Sequence, residues 1–200
     1  MKTRHRYHHG DLKAALLEAG RAILTEQGLQ ALTLRGVAAR AGVSYGAPIH
    51  HFPSMRHLLT ALAVEGFERF GEALLRHRAE APRDARSQVA AVCDAYVHFV
   101  DDQPHWFRLI FSLSGQELNW DDEGLDRASR AAYAALHEVA TVATRARGEA
   151  GPSAVERIAL LIWTSVHGYA QLKLSGRIAL GAAVAPPRPP IEALLFGDDA

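Results

Sequence analysis

The sequence predicts an all-α fold, and three observations carry that prediction. Apolar residues recur every three or four positions along most of the 200 residues, and no stretch shows the alternation of a half-buried strand. Capping residues and glycines divide the chain into helices of ordinary length. With 48% hydrophobic and 22% charged residues, the composition is that of a globular protein and excludes a disordered or collagen-like chain.

The first helices are short and closely spaced. Asp11 is a capping residue for a helix whose apolar positions continue until Gly28 ends it. Thr33 caps a second helix of fewer than three turns, and Ser44 caps a third over residues 45–51. Two short helices joined by a turn that contains glycine form the helix-turn-helix pattern.

Longer helices follow. One helix begins after residues 53–54 and ends before Pro82, where we expect the boundary between a small basic domain and a larger acidic one. Further helices are predicted over residues 84–102, 104–112, 122–147 and 153–175. Prolines 104 and 152 suit the first turns of the helices that they open. A proline-rich connector over residues 185–190 precedes a small apolar end over residues 191–196.

Charge is unevenly distributed, although acidic and basic side chains balance at 22 each. Residues 1–56 hold eight lysines and arginines against three acidic residues, so this end carries a net charge of +5 and the remainder −5. A basic end on a neutral protein indicates a polyanionic partner. On charge alone, a merely solvated basic face is an equally good explanation.

Neither membrane insertion nor secretion is expected. The longest uncharged apolar stretch, residues 158–172, contains four polar side chains and is too short and too polar to span a bilayer. A secretory signal would require an apolar run after the basic N-terminus, and none follows it here. The lone Cys93 cannot form an internal disulfide, so the cytoplasm is the expected location.

The segment TLRGVAARAGVSYGAPIHHFPSMRHLL, residues 33–59, resembles the TetR/AcrR family of bacterial transcriptional regulators. The residues that match the family pattern are Thr33, Val37, Ala38, Ala41, Gly42, Val43, Ser44, Gly46, His51, Phe52, Ser54 and Leu58. The stretch RYHHGDLKAALLEAG before it looks like one branch of that family. A second element, Trp163-Thr-Ser-Val-His167-Gly168, resembles the WHG-type C-terminal domain found there.

That resemblance implies both an architecture and a function. It implies a three-helix DNA-binding domain over residues 1–56, a connecting helix over residues 57–80, and a larger ligand-binding and dimerisation domain over residues 81–200. The implied function is that of a sequence-specific transcriptional regulator, commonly a repressor. It would be a homodimer on a palindromic double-stranded operator, released by a small-molecule inducer. No cofactor is implied, and no serine or cysteine has a convincing base near it in the sequence, so an enzyme is not expected.

The residues expected at DNA follow from the resemblance and from their chemistry. Small residues early in a recognition helix let its backbone approach base edges, and its amide end favours phosphate. Two arginines of the N-terminal extension could reach a neighbouring minor groove. The full set is Arg4, Arg6, Thr33, Arg35, Ser44, Tyr45, Gly46, Ala47, His50, His51 and Arg56.

Two positions depart from the family pattern. Ile49 stands where the family usually has tyrosine, and Met55 where it usually has lysine, and both usual residues donate to phosphate. Their loss should weaken sequence-independent binding. Pro48 is expected in the first turn of the recognition helix, where a missing amide costs little. The departures favour an alternative function, a small-molecule binding protein with a vestigial helix-turn-helix and no tight operator binding.

Bulky side chains in the larger domain are candidates for a ligand pocket. Trp163 and His167 are four residues apart and share a helical face. The candidates are Phe99, Trp106, Phe107, Trp163 and His167. A packed core is the alternative explanation of these residues. A metal site is not expected, because no HExxH or paired Cys/His spacing is present.

The helix predicted over residues 153–175 is apolar nearly all round and must therefore be covered on both sides. Alanines of the preceding helix would let two helices approach closely. Together these features predict a two-fold dimer interface made by the last two long helices. Full burial of the last helix inside one chain is the alternative.

Overall fold

The structure is a computed structural model that describes residues 9–113, 115–178 and 191–197, with side chains from residue 12 onward. All regular structure in these ranges is helical, which confirms the predicted all-α fold. The α-helices are α1 (His9–Gln27), α2 (Leu34–Arg40), α3 (Met55–Glu80), α4 (Ala85–Asp102), α5 (Pro104–Ser112), α6 (Glu123–Ala146), α7 (Pro152–Leu174) and α8 (Ile191–Phe196). Single 3₁₀ turns lie at Leu29–Ala31 and Pro48–His50.

Capping side chains explain where two of the helices begin. The Thr33 hydroxyl accepts a hydrogen bond from Gly36 N at 3.0 Å, and α2 starts at the next residue. The Asp84 carboxylate accepts one from Ser87 N at 2.8 Å at the start of α4. Each cap satisfies an amide that has no partner within its own helix. Both helix starts agree with the sequence prediction.

The start of α1 differs from the prediction, and the end of α7 agrees with it. α1 begins at His9, so Asp11 lies within its first turn and the predicted N-cap there is wrong. A capping residue marks a favourable start but does not prevent one more half-turn before it. At the other end, α7 stops at Leu174, and Gly176 follows with a φ of +70°, as the predicted stop requires.

The described helices pack as two units. The first unit contains residues up to Gly66 together with His105–Arg127, and the second contains Phe67–Pro104 together with the residues from Ala128 onward. α3 therefore contributes its first half to one unit and its second half to the other. Packing units are not functional domains, so the division into residues 1–56, 57–80 and 81–200 stays a prediction.

The core of the first unit is shared by α1, α2, the first half of α3, and α5. Its fully buried side chains include Leu16, Leu24, Val37, Leu58, Leu62 and Phe107. Gly66 allows α3 to approach α5, because an added Cβ would lie only 2.6 Å from Ile110 Cγ2. On α5, Trp106 Nε1 donates to Thr25 Oγ1 of α1 at 3.2 Å. α5 is therefore part of the unit that carries the helix-turn-helix.

α4 is the central helix of the second unit. Most of its residues are buried, and it packs against α7 and α8. The Gln88 amide closes the α3–α4 turn by donating to Arg78 O at 3.0 Å and to Pro82 O at 2.9 Å. The predicted apolar end forms α8, where Ile191 and Leu195 are buried. The predicted connector over residues 185–190 lies outside the described residues.

Among the described helices, none is both long enough and apolar enough to cross a membrane. In the same part of the chain, no three His, Cys, Asp or Glu side chains come together as a metal site would require. Cys93 is buried on α4.

Candidate nucleic-acid interface

A glycine closes the turn of the helix-turn-helix. α2 ends at Arg40, and Gly42 follows with a φ of +69°, a conformation that residues with a Cβ disfavour. Val43 N donates to Ala38 O at 3.0 Å, and Gly42 N donates to Ala39 O at 3.1 Å. This pair of bonds is the Schellman motif, which satisfies the last carbonyls of α2 and turns the chain.

The recognition segment, residues 44–52, is not the regular helix predicted over residues 45–51. Ala47 N donates to Ser44 O at 3.0 Å to form a turn, and one 3₁₀ turn follows at Pro48–His50. In the predicted helix the amide of residue 48 would have made the first i→i−4 bond, to Ser44 O. Proline has no amide, so that bond cannot form, and Gly46 adds backbone freedom beside it. In the 3₁₀ turn that does form, Pro48 is the first residue, a position at which a missing amide costs little.

The recognition segment exposes consecutive side chains to solvent. Pro48 and Phe52 are buried and anchor the segment to the core. Five residues are exposed, among them a tyrosine at 73% and an isoleucine at 56% of their surface: Ser44, Tyr45, Gly46, Ile49 and His50. Nothing lies within 4 Å of an added Cβ at residue 46, so the backbone there is open to a partner. Ile49 was not among the predicted DNA contacts.

The other predicted DNA-binding residues differ in availability. Thr33 and Arg35 are exposed at the start of α2. The Thr33 oxygen accepts from a backbone amide, so its hydroxyl hydrogen remains free to donate outward. Ala47 and His51 are half-buried. The two arginines of the N-terminal extension, Arg4 and Arg6, lie outside the described residues.

Arg56, at the start of α3, is exposed but already makes two contacts within the first unit. Its Nη2 donates to Leu118 O at 3.0 Å and to Gly115 O at 3.3 Å. One turn later, the buried Thr60 hydroxyl accepts from Asn119 N at 3.0 Å. The beginning of α3 is therefore tied to the segment between α5 and α6. Partners about sixty residues apart leave no local signal in the sequence.

Ion pairs already engage other basic residues of the first unit. Arg40 Nη1 lies 2.7 Å from Glu26 Oε2, and the hydrogen bond lowers the pKa of Glu26 below its ordinary value. In contrast, the exposed Arg35 and Lys13 make no hydrogen bond or ion pair with the part of the chain that the structure describes. These two cations remain available to an anion from outside.

The predicted ligand residues are divided between the units. Trp106 and Phe107 are buried on α5 in the first unit, and Phe107 packs against Phe111 with ring centroids 4.9 Å apart. Phe99, Trp163 and His167 belong to the second unit. Neither unit contains all five residues, so neither has a pocket that all five could line. The ligand role of each residue stays a prediction.

A partly buried polar network surrounds His167. The Tyr96 hydroxyl lies 2.7 Å from His167 Nδ1, and Gln171 Nε2 lies 3.3 Å from His167 Nε2. Burial raises the pKa of Tyr96, against a smaller lowering by a hydrogen bond with Trp163, and burial lowers the pKa of His167. Tyr96 is therefore a protonated donor and His167 a neutral acceptor.

Tyr96 was missing from the predicted ligand set. It lies 71 positions from His167, and only the packing of α4 against α7 brings the two together. Phe70 extends the cluster, because its ring centroid is 4.9 Å from that of Tyr96 and 5.2 Å from that of Phe99. The second unit therefore holds an aromatic cluster with one polar centre.

Comparison with known proteins now identifies the family. Residues 89–194 match the tetracyclin repressor-like C-terminal domain, and residues 16–62 match the bacterial regulatory proteins of the tetR family. The chain belongs to the TetR family. It is a DNA-binding transcriptional regulator of that family, and its helix-turn-helix lies within the matched residues 16–62.

Individual relatives agree with the family match. The HTH-type transcriptional regulator BetI of Stenotrophomonas maltophilia (strain R551-3) is 33% identical over 88 residues, which are only 44% of each chain. A solved protein of unknown function from Rhodococcus sp. RHA1 is 33% identical with a TM-score of 0.74, covering 96% of this chain and 95% of that one. A TetR-like transcriptional regulator from the same organism shares the fold at 17% identity, with a TM-score of 0.62 and coverage of 96% and 97%.

Proposed function

We propose that this TetR-family protein is a homodimeric repressor that binds a palindromic operator and leaves it when a small molecule binds the second unit. The exposed recognition segment over residues 44–52 carries the proposal, because its open backbone and polar side chains suit base edges. The protein acts in the cytoplasm, on double-stranded DNA, and needs no cofactor or catalytic step.

Each exposed residue of the recognition segment has a role at DNA. Ser44, Tyr45 and His50 supply hydrogen-bonding groups for base edges or phosphates, and Gly46 lets the backbone approach. Ile49 cannot donate to phosphate, but an exposed apolar side chain suits the methyl group of thymine. The loss of a family tyrosine at this position therefore exchanges a positioning contact for a base-reading one.

Phosphate contacts come from the residues that flank the recognition segment. Thr33 and Arg35 at the start of α2 are exposed, and both have donors left for a phosphate oxygen. Arg56 joins them when its guanidinium turns a free edge toward the backbone. The N-terminal Arg4 and Arg6 are assigned to the neighbouring minor groove. The phosphate contacts set the register on the duplex and carry no sequence information directly.

The surface of α7 supports the homodimer. One side of the helix is buried through Ile158, Ile162 and Val166. The other side leaves four large apolar side chains exposed, Leu160 at 55%, Leu172 at 46%, and Leu161 and Trp163 at just under 40%. Several large apolar side chains that one helix exposes to water indicate a surface that a partner covers. A homodimer that reads a palindromic operator would present two recognition segments about 34–36 Å apart, one helical turn of DNA.

The polar centre of the second unit supports release by a ligand. Tyr96 and His167 form one hydrogen-bonded polar centre among aromatic side chains, which suits recognition of a small apolar molecule with a polar group. α4 carries Tyr96 and Phe99, and only Gln103 separates it from α5, whose Trp106 and Phe107 pack in the first unit. A ligand that shifts α4 therefore acts on α5. Coupling of about 1–3 kcal/mol is typical of such linkage.

A second function is favoured by one observation. Met55 stands at the beginning of α3 in place of the usual phosphate-binding lysine, and it is half-buried. A protein that keeps the fold and the ligand cluster but binds no operator tightly would tolerate this change. Sequence-selective binding distinguishes the two functions.

The experiment is a selection of bound duplexes from a random-sequence pool at two salt concentrations, followed by titration of the enriched duplex. The proposed function predicts one enriched palindrome and an affinity that falls steeply with salt. His50→Ala should weaken specific binding by about five- to a hundredfold, the value of a base contact. His98→Ala, an exposed histidine of the second unit, is the matched control and should bind as wild type.

Two results would overturn the proposal. Weak binding at both salt concentrations with no enriched sequence would establish the second function. A dissociated dimer in the His50→Ala variant, measured by sedimentation, would contradict the assignment of this residue to DNA.

A further inference from the structure

The first unit contains a cleft that the proposed function leaves unused. Its volume is about 480 Å³, which is within the range of small-molecule sites. Its walls come from α1, the end of the recognition segment, α3 and the segment that precedes α6. The lining residues that matter here are Lys13, Leu17, Arg56, Ala61, Val64 and Asp122.

The cleft has spare hydrogen-bond donors of positive charge. Lys13 is exposed and makes no hydrogen bond with the described residues. Toward the residues that the structure describes, Arg56 donates only through Nη2, to two backbone carbonyls, so its Nε and Nη1 groups keep their donors for another acceptor. His51 and His57 also line the cleft.

The acidic side chain in the cleft is already engaged. Asp122 Oδ1 accepts a hydrogen bond from Leu125 N at 3.0 Å and so caps the start of α6. Its charge is placed where a helix N-terminus stabilises it, and within the described ranges it makes no ion pair with Lys13 or Arg56. The cleft therefore favours an anion over a neutral or cationic molecule.

An apolar patch adjoins the cations. Leu17 on α1 and Ala61 and Val64 on α3 line the same cleft and are only half-buried, so they can lose water when a ligand covers them. Burial of apolar surface is worth roughly 25 cal/mol per Å². A molecule with a negative head and a short hydrocarbon body would use both parts of the cleft.

We propose that this cleft binds a small amphipathic carboxylate, whose carboxylate pairs with Lys13 and Arg56 and whose apolar body covers Leu17, Ala61 and Val64. The site is separate from the ligand cluster of the second unit. Because Arg56 is also assigned to the operator backbone, an occupied cleft would compete with a DNA phosphate. That last consequence rests on the proposed function, and the binding itself does not.

The test is calorimetric titration of the full-length, DNA-free protein with octanoate at constant ionic strength. Octanoate should bind, and octanol, which has the same chain without the charge, should bind at least tenfold more weakly. Lys13→Gln should weaken octanoate binding by about tenfold, as expected for loss of one charge-assisted hydrogen bond. Arg76→Gln removes a charge from an exposed residue of the second unit and should change nothing.

A second variant tests the apolar part. Ala61→Phe should fill the cleft and abolish octanoate binding, with a thermal melt showing that the variant is folded. Unchanged binding in Lys13→Gln, equal binding of octanol, no binding of octanoate, or binding of inorganic phosphate in its place would each overturn the proposal. So would octanoate binding that Trp163→Ala abolishes and the cleft variants leave intact. If octanoate binds as expected and no operator is selected, only the proposed repressor function fails.

Discussion

Gly66→Ala should destabilise the protein, although alanine is the better helix former. Gly66 lies in the middle of α3, where alanine gains about 1 kcal/mol over glycine in an open helix. Here an added Cβ would lie 2.6 Å from Ile110 Cγ2 and 3.3 Å from Trp106 Cε3. Both neighbours are 2% exposed. Overpacking of this kind costs about 1–3 kcal/mol, so we expect a net loss of about 1 kcal/mol.

The stiffness of Ile110 decides the sign. Its Cγ2 is bonded directly to Cβ, so this atom cannot swing away as the end of a long side chain can. Gly20→Ala is the matched control, because Gly20 is also buried in a helix of the first unit. Its added Cβ would meet Leu62 Cδ1 at 3.4 Å, which is ordinary contact with a flexible group. That variant should be more stable than wild type by about 0.5–1 kcal/mol.

The assay is urea unfolding followed by circular dichroism at one fixed protein concentration, since a dimer makes stability depend on concentration. Gly66→Ala should unfold at lower urea than wild type, and Gly20→Ala at higher urea. Adding Ile110→Leu to Gly66→Ala should recover part of the loss, because leucine has no branch at Cβ. A Gly66→Ala variant as stable as Gly20→Ala would refute the reasoning.

Three further predictions concern polar interactions. Arg21→Lys should lower the free energy of unfolding in urea by about 0.5–1 kcal/mol. Lysine cannot keep the paired contacts that Nε and Nη2 make with the Glu65 carboxylate at 2.7 and 2.9 Å. An equal loss in the exposed control Arg83→Lys would contradict this. Asp84→Ala should lower the melting temperature, because it removes the cap. Asp84→Ser keeps a capping oxygen, so its melting temperature should stay close to that of wild type. The hydrogen bond from Ser87 N lowers the pKa of Asp84, so the stabilisation by the cap is present above the unfolded pKa and should fade as the pH falls below about 4. Burial lowers the pKa of His167, so the unfolded chain binds that proton more readily and stability should fall below about pH 6.5; in His167→Gln the fall should be shallower, and parallel pH profiles would exclude this cause.

Local features of the sequence determined the helices. Thr33 and Asp84 mark helix starts, and Pro104 and Pro152 open α5 and α7, because caps and prolines act on backbone groups only a few residues away. The family, too, was readable from the segment around the turn at Gly42. Even the error at the recognition segment has a local cause, since Pro48 removes the first bond of the helix predicted there.

Only the tertiary structure decided which residues distant in the sequence come into contact. Trp106 and Gly66 show that α5 packs in the first unit, against α1 and the first half of α3. The contact of Arg56 with the segment before α6, and that of Tyr96 with His167, join residues about sixty and seventy positions apart. Periodicity and capping report which face of a helix is buried and where the helix ends. They do not report which partner covers that face, because that choice depends on shape and hydrogen bonding between segments distant in the chain.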